Sequence, residues 1–244
     1  MKKDFLSVLS EQVVVFDGAM GTRLYELGVF LNRCFDELNV SNGALVESVH
    51  RSYVAAGADV IETNTFGANR LKLDRHGLGD QVRAINHEGA VLARKAASDL
   101  FVAGAIGPLG VRIEPWGPTS VDEAIEIFAE QAVALAEGGV DLFSVETFYD
   151  LAEIEAAVRG IRRVSDQPIV AHMTLEDDGS SLEGVAPEVF GPRLAALPVQ
   201  AVGVNCSVGP AAMLDAVERM ARVVALPISA QPNAGKPRAV DNRN

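Results

Sequence analysis

The strongest constraint on this chain is a repeat of seven short, largely β-branched apolar runs, each followed by a segment of different character. The runs are VVVF (13–16), ADVI (58–61), LFVAGAI (100–106), VDLFSV (140–145), PIVA (168–171), VQAVGV (199–204) and LPISA (226–230). Runs that are apolar on both faces suit parallel strands buried between other layers. Most of the intervening segments have helical period and announce their starts. Ser120 stands three before Glu123, a capping box ahead of the stripe Ile125, Phe128, Ala132 and Leu135. Asp150 and Glu153 do the same ahead of Ile154, Ala157, Val158 and Ile161, and Pro210 suits a first helical turn before Leu214, Val217 and Met220. Asn42 or Ser41 opens a helix bearing Val46, Val49, Tyr53 and Val54, while Gly57 and Gly138 suit C-terminal caps.

Such a series folds either as a doubly wound sheet or as a (β/α)8 TIM barrel. The polar residues favour the barrel. Nearly every run ends in a polar or glycine-bearing cluster: Asp17-Gly18, Glu62-Thr63-Asn64-Thr65, Gly107-Pro108, Glu146-Thr147, His172, Asn205-Cys206 and Gln231-Pro232-Asn233. A doubly wound fold concentrates its site at one switch point, whereas a barrel gathers it from many strand ends on one face. GAMG at 18–21 lacks dinucleotide-binding spacing, and the glycines of GAIGPLG at 104–110 read as turn glycines. The expected fold is therefore an α/β barrel with about seven strand–helix units, the eighth missing because the chain stops fourteen residues after the seventh run. Residues 1–244 read as one barrel domain, incomplete at its C-terminus.

The formal net charge of −12 argues against nucleic acid and anionic membranes as partners. No apolar run approaches the length of a membrane span. Two cysteines, Cys34 and Cys206, are too few for a disulfide framework, so a reducing cytoplasm is expected. Cys206, at a strand end within VGVNCSVGP (202–210), reads equally as nucleophile, metal ligand or small hydrophobe on its own terms.

Five segments carry a resemblance. VVVFDGAMGTRL (13–24), AGADVIETNTFGAN (56–69), VETFYDL (145–151), VGVNCSVGP (202–210) and QPNAGKP (231–237) resemble, in order, the homocysteine S-methyltransferase domain family. LNRCFDELNVS (31–41) is most similar to the bacterial branch fused to a methylenetetrahydrofolate reductase. The resemblance implies a (β/α)8 barrel that transfers a methyl group to the thiol of homocysteine, forming methionine, with a catalytic Zn2+ held by three cysteines. Cys206 matches the first, in an Asn-Cys motif after the sixth strand; the adjacent Cys-Cys pair expected after strand eight is absent from these 244 residues. The implied donor is methylfolate, methylcobalamin, betaine or S-methylmethionine.

The chemistry explains the residue types. A free thiol is mostly protonated at neutral pH, and coordination to zinc removes its proton. A carboxylate suits the ammonium of homocysteine and backbone N–H groups suit its carboxylate. By resemblance, Asp17 and Glu146 take the ammonium, Gly18 and Thr147 line the same pocket, and Asn205 and Asn233 lie near the metal. Glu62, Thr63 and Asn64 are expected at the pocket mouth or positioning its walls. Cys34 reads as a packed small residue, and His50, His76 and His87 as solvated or structural. His172 reads as packed or as a donor contact, and Trp116 as a loop anchor or a cap over the site. Two rival readings stand beside the enzyme: an inactive truncated fragment or homocysteine-binding module lacking a complete zinc site, and an unrelated barrel aldolase or lyase. The second rival is the weaker, because no strand end carries a lysine for a Schiff base.

Overall fold

The computed structural model describes residues 4–30 and 32–234, so Leu31 and the GKP end of the 231–237 segment lie outside the described residues. Helices α1 (Phe5–Glu11), α2 (Met20–Glu26), α3 (Leu38–Ser41) and α4 (Gly43–Ala56) precede the first strand. Then β1 (Val60–Glu62), α5 (Arg70–Asp74) and α6 (Val82–Ala96) lead to β2 (Phe101–Ile106), α7 (Val121–Glu137) and β3 (Leu142–Phe148). The chain continues through α8 (Leu151–Arg162), β4 (Ile169–Met173), α9 (Pro187–Ala195), β5 (Ala201–Asn205), α10 (Pro210–Ala221) and β6 (Ile228–Gln231). The six strands form one parallel sheet in sequential order β1 to β6. This is the arrangement of a partial TIM barrel, a sheet that curls without crossing over.

Six of the seven runs become strands. The first does not: 13–16 makes only a parallel bridge, Phe16 to Val60, with the Val15 carbonyl accepting from Asp59 N and Val60 N. Its outer side has no neighbour among the described residues, which leaves Val13 86% and Val15 52% exposed. An edge with one partner cannot close a second ladder.

Helix starts follow the sequence closely. Ser120 accepts from Glu123 N and Asp150 from Ala152 N, each capping its helix, and Pro210 occupies the first turn of α10. The α7 and α8 stripes read from sequence are fully buried against the outer strand faces. In α10 the phase differs: Met213, Ala216 and Met220 face inward, and Leu214 stands 58% exposed. Gly57 has the left-handed φ of a helix C-cap, +96°. Gly138 does not, since its φ is −74° and the left-handed residue is Gly139. Gly138 instead permits close helix packing, for a Cβ there would sit 2.8 Å from the His87 carbonyl oxygen of α6.

Alternation along each strand divides the inner and outer faces. Ile61, Val102, Phe143, Val145, Ile169, Ala171, Val202 and Val204 face the helices. Val60, Phe101, Ala103, Leu142, Val170 and Ala201 face inward and meet one another around Phe5, Val8 and Leu9 of α1. That inner faces from five strands share one cluster shows the sheet curled, with α1 stoppering its N-terminal end. Phe5 packs edge-on against Phe101, ring centroids 5.5 Å apart.

The register at this end is pinned by side chains. Asp59 accepts from Val15 N (2.9 Å), Asp141 from Val102 N (2.8 Å) and Gln200 from Ile169 N (2.8 Å). In each case the residue just before one strand accepts from a backbone N–H near the start of the neighbouring segment. Among the described residues no helix is long and apolar enough to cross a membrane.

Candidate functional site

At the opposite, C-terminal end of the strands lies a cavity of about 1850 Å³. Asp17, Gly18, Glu62, Glu146, Thr147, Cys206 and Asn233 all line it. The structure thus brings together six of the seven residues singled out in sequence and adds Glu62. The seventh, Asn205, is 1% exposed and works from behind the wall.

Each of these positions has a local cause. The run at 13–16 delivers Asp17, whose N–H donates to the Val60 carbonyl (3.0 Å) and whose carboxylate oxygens both accept from Glu62 N (3.2 Å). Asp17 therefore caps the top of β1. Gly18 is needed for close approach: a Cβ there would lie 3.0 Å from the Tyr53 ring, and Tyr53 Oη donates to the Ala19 carbonyl (3.0 Å).

Glu146 and Thr147 sit where β3 departs from regular pairing with β4, between Val145 and Phe148. Irregularities of this kind re-aim side chains beside active sites. Asn205, at the end of β5, ties them together. Its Nδ2 donates to Glu146 Oε2 (3.0 Å) and Thr147 Oγ1 (2.8 Å), and its Oδ1 accepts from Thr147 N (2.8 Å). Cys206 follows, with Sγ 3.5 Å from Asn205 Nδ2 and its N–H donating to the Gln231 carbonyl (3.0 Å). Asn233 N donates to the Val208 carbonyl (3.1 Å), which holds the end of β6 against the Cys206 loop.

Among the described residues, the non-glycine residues with left-handed φ are Thr147 (64°), Cys206 (57°) and Ser207 (58°). All three fall in this one place. Each costs about 1 kcal/mol or more, most for the β-branched threonine, and such strain gathers at functional sites.

The electrostatics are dominated by three carboxyls. Burial pushes Asp17 well above the usual carboxylate range, with the Glu62 charge adding to it. Burial likewise raises Glu62, and raises Glu146 well above its ordinary value with help from Glu62 and Asp17. Cys206 is raised by burial and then by Glu146, so its thiol keeps its proton beside these acids and is no nucleophile unaided. Beneath them, Ser144 and Gln231 lie against the buried Glu62 carboxyl and oppose the rise that burial imposes on it. A cation seated among the three carboxyls would reverse their mutual repulsion.

Other expectations resolve as follows. Glu62 is not at the mouth but on the inner face, two residues along from the inward Val60. Thr63 and Asn64 are wall supports: Thr63 Oγ1 accepts from Ala105 N (3.0 Å), and Asn64 Nδ2 donates to the Phe35 carbonyl (2.8 Å) and Asn39 Oδ1 (3.1 Å). His172 packs inside the barrel with Nε2 2.9 Å from Ser229 Oγ, and burial lowers its pKa to about 4, so it is neutral. His50 is buried and neutral for the same reason, also at about 4. His87 is half-buried, and His76 is exposed on the cavity rim. Cys34 packs beside Leu73 and Ile85 and also reaches the cavity wall. Trp116 is 71% exposed, neither anchor nor cap, because its loop projects into solvent. Lys72, on the helix after β1, also lines the cavity, and nothing in the strand-end pattern pointed to it.

Among the described residues no group of three His, Cys, Asp or Glu is arranged to hold a metal. Catalytic zinc takes three protein ligands, so Cys206 alone does not fit the ion.

Comparison with known proteins gives four findings. A family model described as homocysteine S-methyltransferase matches residues 14–244. The methionine synthases of Mycobacterium tuberculosis and Mycobacterium leprae are 35% and 36% identical over 96% of this chain, which spans only 21% of their length. The metallated homocysteine methyltransferase MmuM from Escherichia coli superposes with a TM-score of 0.83 at 27% identity, covering 94% of this chain and 86% of that one. The carboxyl transferase domain from Rhizobium etli pyruvate carboxylase, at 16% identity and a TM-score of 0.56, shares the fold alone.

Proposed function

The chain belongs to the homocysteine S-methyltransferase family, and from that premise we propose that its cavity binds homocysteine for methyl transfer to sulfur, forming methionine. The observation that carries this reading is the cluster of Asp17, Glu62 and Glu146 beside the Cys206 thiol. Three carboxyls raised by burial and mutual repulsion suit a compact cation, and the ammonium of an amino acid is one. Binding it favours the ionised forms of Asp17 and Glu146. Asn205 fixes Glu146 and Thr147 in a single rotamer and position, so little ordering is left for the moment of binding. Gly18 brings backbone, rather than a side chain, to the cavity surface. In the reaction the donor–methyl bond breaks as the sulfur–methyl bond forms, and the homocysteine thiol loses its proton.

Zinc dependence is proposed on the family resemblance, with Cys206 as the residue of this chain that would bind the ion. Bound zinc supplies an activated thiolate. The chain's own residues hold and orient the amino-acid end, and no step above depends on the ion. The partners proposed are homocysteine, one of the four donors named above and, on the resemblance of residues 31–41, a fused reductase module. A cytoplasmic setting is proposed from the sparse cysteines.

A second reading, homocysteine binding without turnover by this chain alone, rests on there being no group of three metal-ligating side chains among the described residues. Calorimetric titration with homocysteine, with zinc content and methionine formation measured on the same preparation, separates the two. Binding with methionine formed from any donor supports the enzyme. Binding with neither zinc nor turnover supports the module, and absence of binding overturns both.

A further inference from the structure

The cavity has an acidic wall, but it also holds a cation that the reading so far leaves idle. Lys72 lies on α5, whose start is fixed by Asn69 accepting from Lys72 N (3.0 Å). Its Nζ stands 4.6 Å from the centre of the Phe66 ring. Its stem runs along Gly110, where a Cβ would come within 3.1 Å of Lys72 Cε. Phe66 in turn lies on Gly107, where a Cβ would collide with the ring. So two glycines of GAIGPLG, which read as turn glycines, are also clearances that seat an aromatic ring and a lysine stem. A lysine normally keeps its head in water. Here the head is turned along the wall of a cavity.

The carboxylates that feel Lys72 are already engaged elsewhere. Asp36 accepts from Gly67 N (2.9 Å), Glu153 from Leu109 N (2.7 Å) and Glu146 from Asn205 Nδ2 (3.0 Å). No salt bridge to Lys72 forms among the described residues. The arginines of the lining are occupied: Arg23 pairs with Glu26, Arg33 with Glu37 (3.1 Å), and Arg75 donates to the Gly110 carbonyl (2.6 Å). Lys72 is the half-buried cation left to face the cavity. Burial lowers its pKa, so an anion beside it is favoured over isolation. An amino acid is a zwitterion, and its carboxylate is an anion that a cation can bind alongside backbone N–H groups.

We propose that Lys72 binds a carboxylate of a reactant in the cavity that Asp17, Glu62 and Glu146 also line. This rests on the homocysteine reading above. The carboxylate belongs either to homocysteine or to a carboxylate-bearing methyl donor such as betaine or S-methylmethionine.

The test is calorimetric titration of wild type, K72Q and K72R with homocysteine, with 3-aminopropane-1-thiol (homocysteine without its carboxylate), and with betaine and S-methylmethionine. A charge-assisted contact predicts that K72Q loses about tenfold or more in affinity for the carboxylate ligand while the aminothiol binds unchanged, with K72R in between. Loss confined to homocysteine assigns its carboxylate, and loss confined to a donor assigns the donor's; either supports the proposal. Equal loss for homocysteine and the aminothiol, or no loss for any ligand that wild type binds, overturns it. If wild type binds none of them, the homocysteine reading fails and this proposal with it.

Discussion

The two ends of the curled sheet are made from the same strands and obey opposite rules. On β3, Leu142 faces inward at one end and Glu146 at the other, four residues along the same face. The N-terminal end is apolar, stoppered by α1 and clamped by Asp59, Asp141 and Gln200. The C-terminal end gathers three carboxyls, a thiol and three left-handed non-glycine residues around open space. One end lowers the free energy of the fold. The other raises it and holds geometry in return. Alternation along a strand lets both be set independently, which is why barrels tolerate many chemistries on one scaffold.

The comparison breaks if mutations at the two ends have the same signature. The largest effect is expected at the closed end: Phe5→Ala removes a buried ring and should cost about 3 kcal/mol of stability in denaturant unfolding. Homocysteine affinity of the folded fraction should not change. Next is Glu146→Gln, which should weaken homocysteine by about 2 kcal/mol, roughly 30-fold, in calorimetric titration without lowering stability. A loss of stability equal to that of Phe5→Ala would refute the division of labour.

The open end also carries an effect that shows only at one end of the pH range. Burial raises Glu153 to about 7, so between its unfolded value near 4.5 and 7 the folded state binds the extra proton. This group's contribution to stability is therefore present at low pH and lost as pH rises through 7. Glu153→Gln keeps an acceptor for Leu109 N and should stabilise the protein at pH 8, by up to about 3 kcal/mol, and not at pH 4. The gain should show in melting temperature across that range. Smallest of all, Leu214→Ala should change stability by no more than about 0.5 kcal/mol, because this leucine points to solvent.

The fold was legible wherever both faces of a run are covered, as in 100–106 or 199–204. It failed at 13–16, where composition is that of a buried strand but one side has no partner among the described residues. In α10, Pro210 located the helix start but not its phase, and Leu214 was placed inward when Met213 is. In the site, the strand-end polar residues were legible because barrels collect function there. Glu62 was harder, since a run of four polar residues hides which one continues the inward alternation. Counting by twos from Val60 would have found it. Lys72 left no signal, because its place depends on Phe66 and Gly110, contacts that no spacing in sequence encodes.

The Asp59 clamp reaches further than its location suggests. It sets the height of the 13–16 run beside β1, and one residue beyond that run Asp17 meets Glu62 N. A slip of one residue would move Asp17 about 3.3 Å along the sheet and turn it to the other face. Asp59 thus serves as a datum from which the distant acid wall is levelled, and a change there would be felt first in ligand selectivity, at the far end from where it was made.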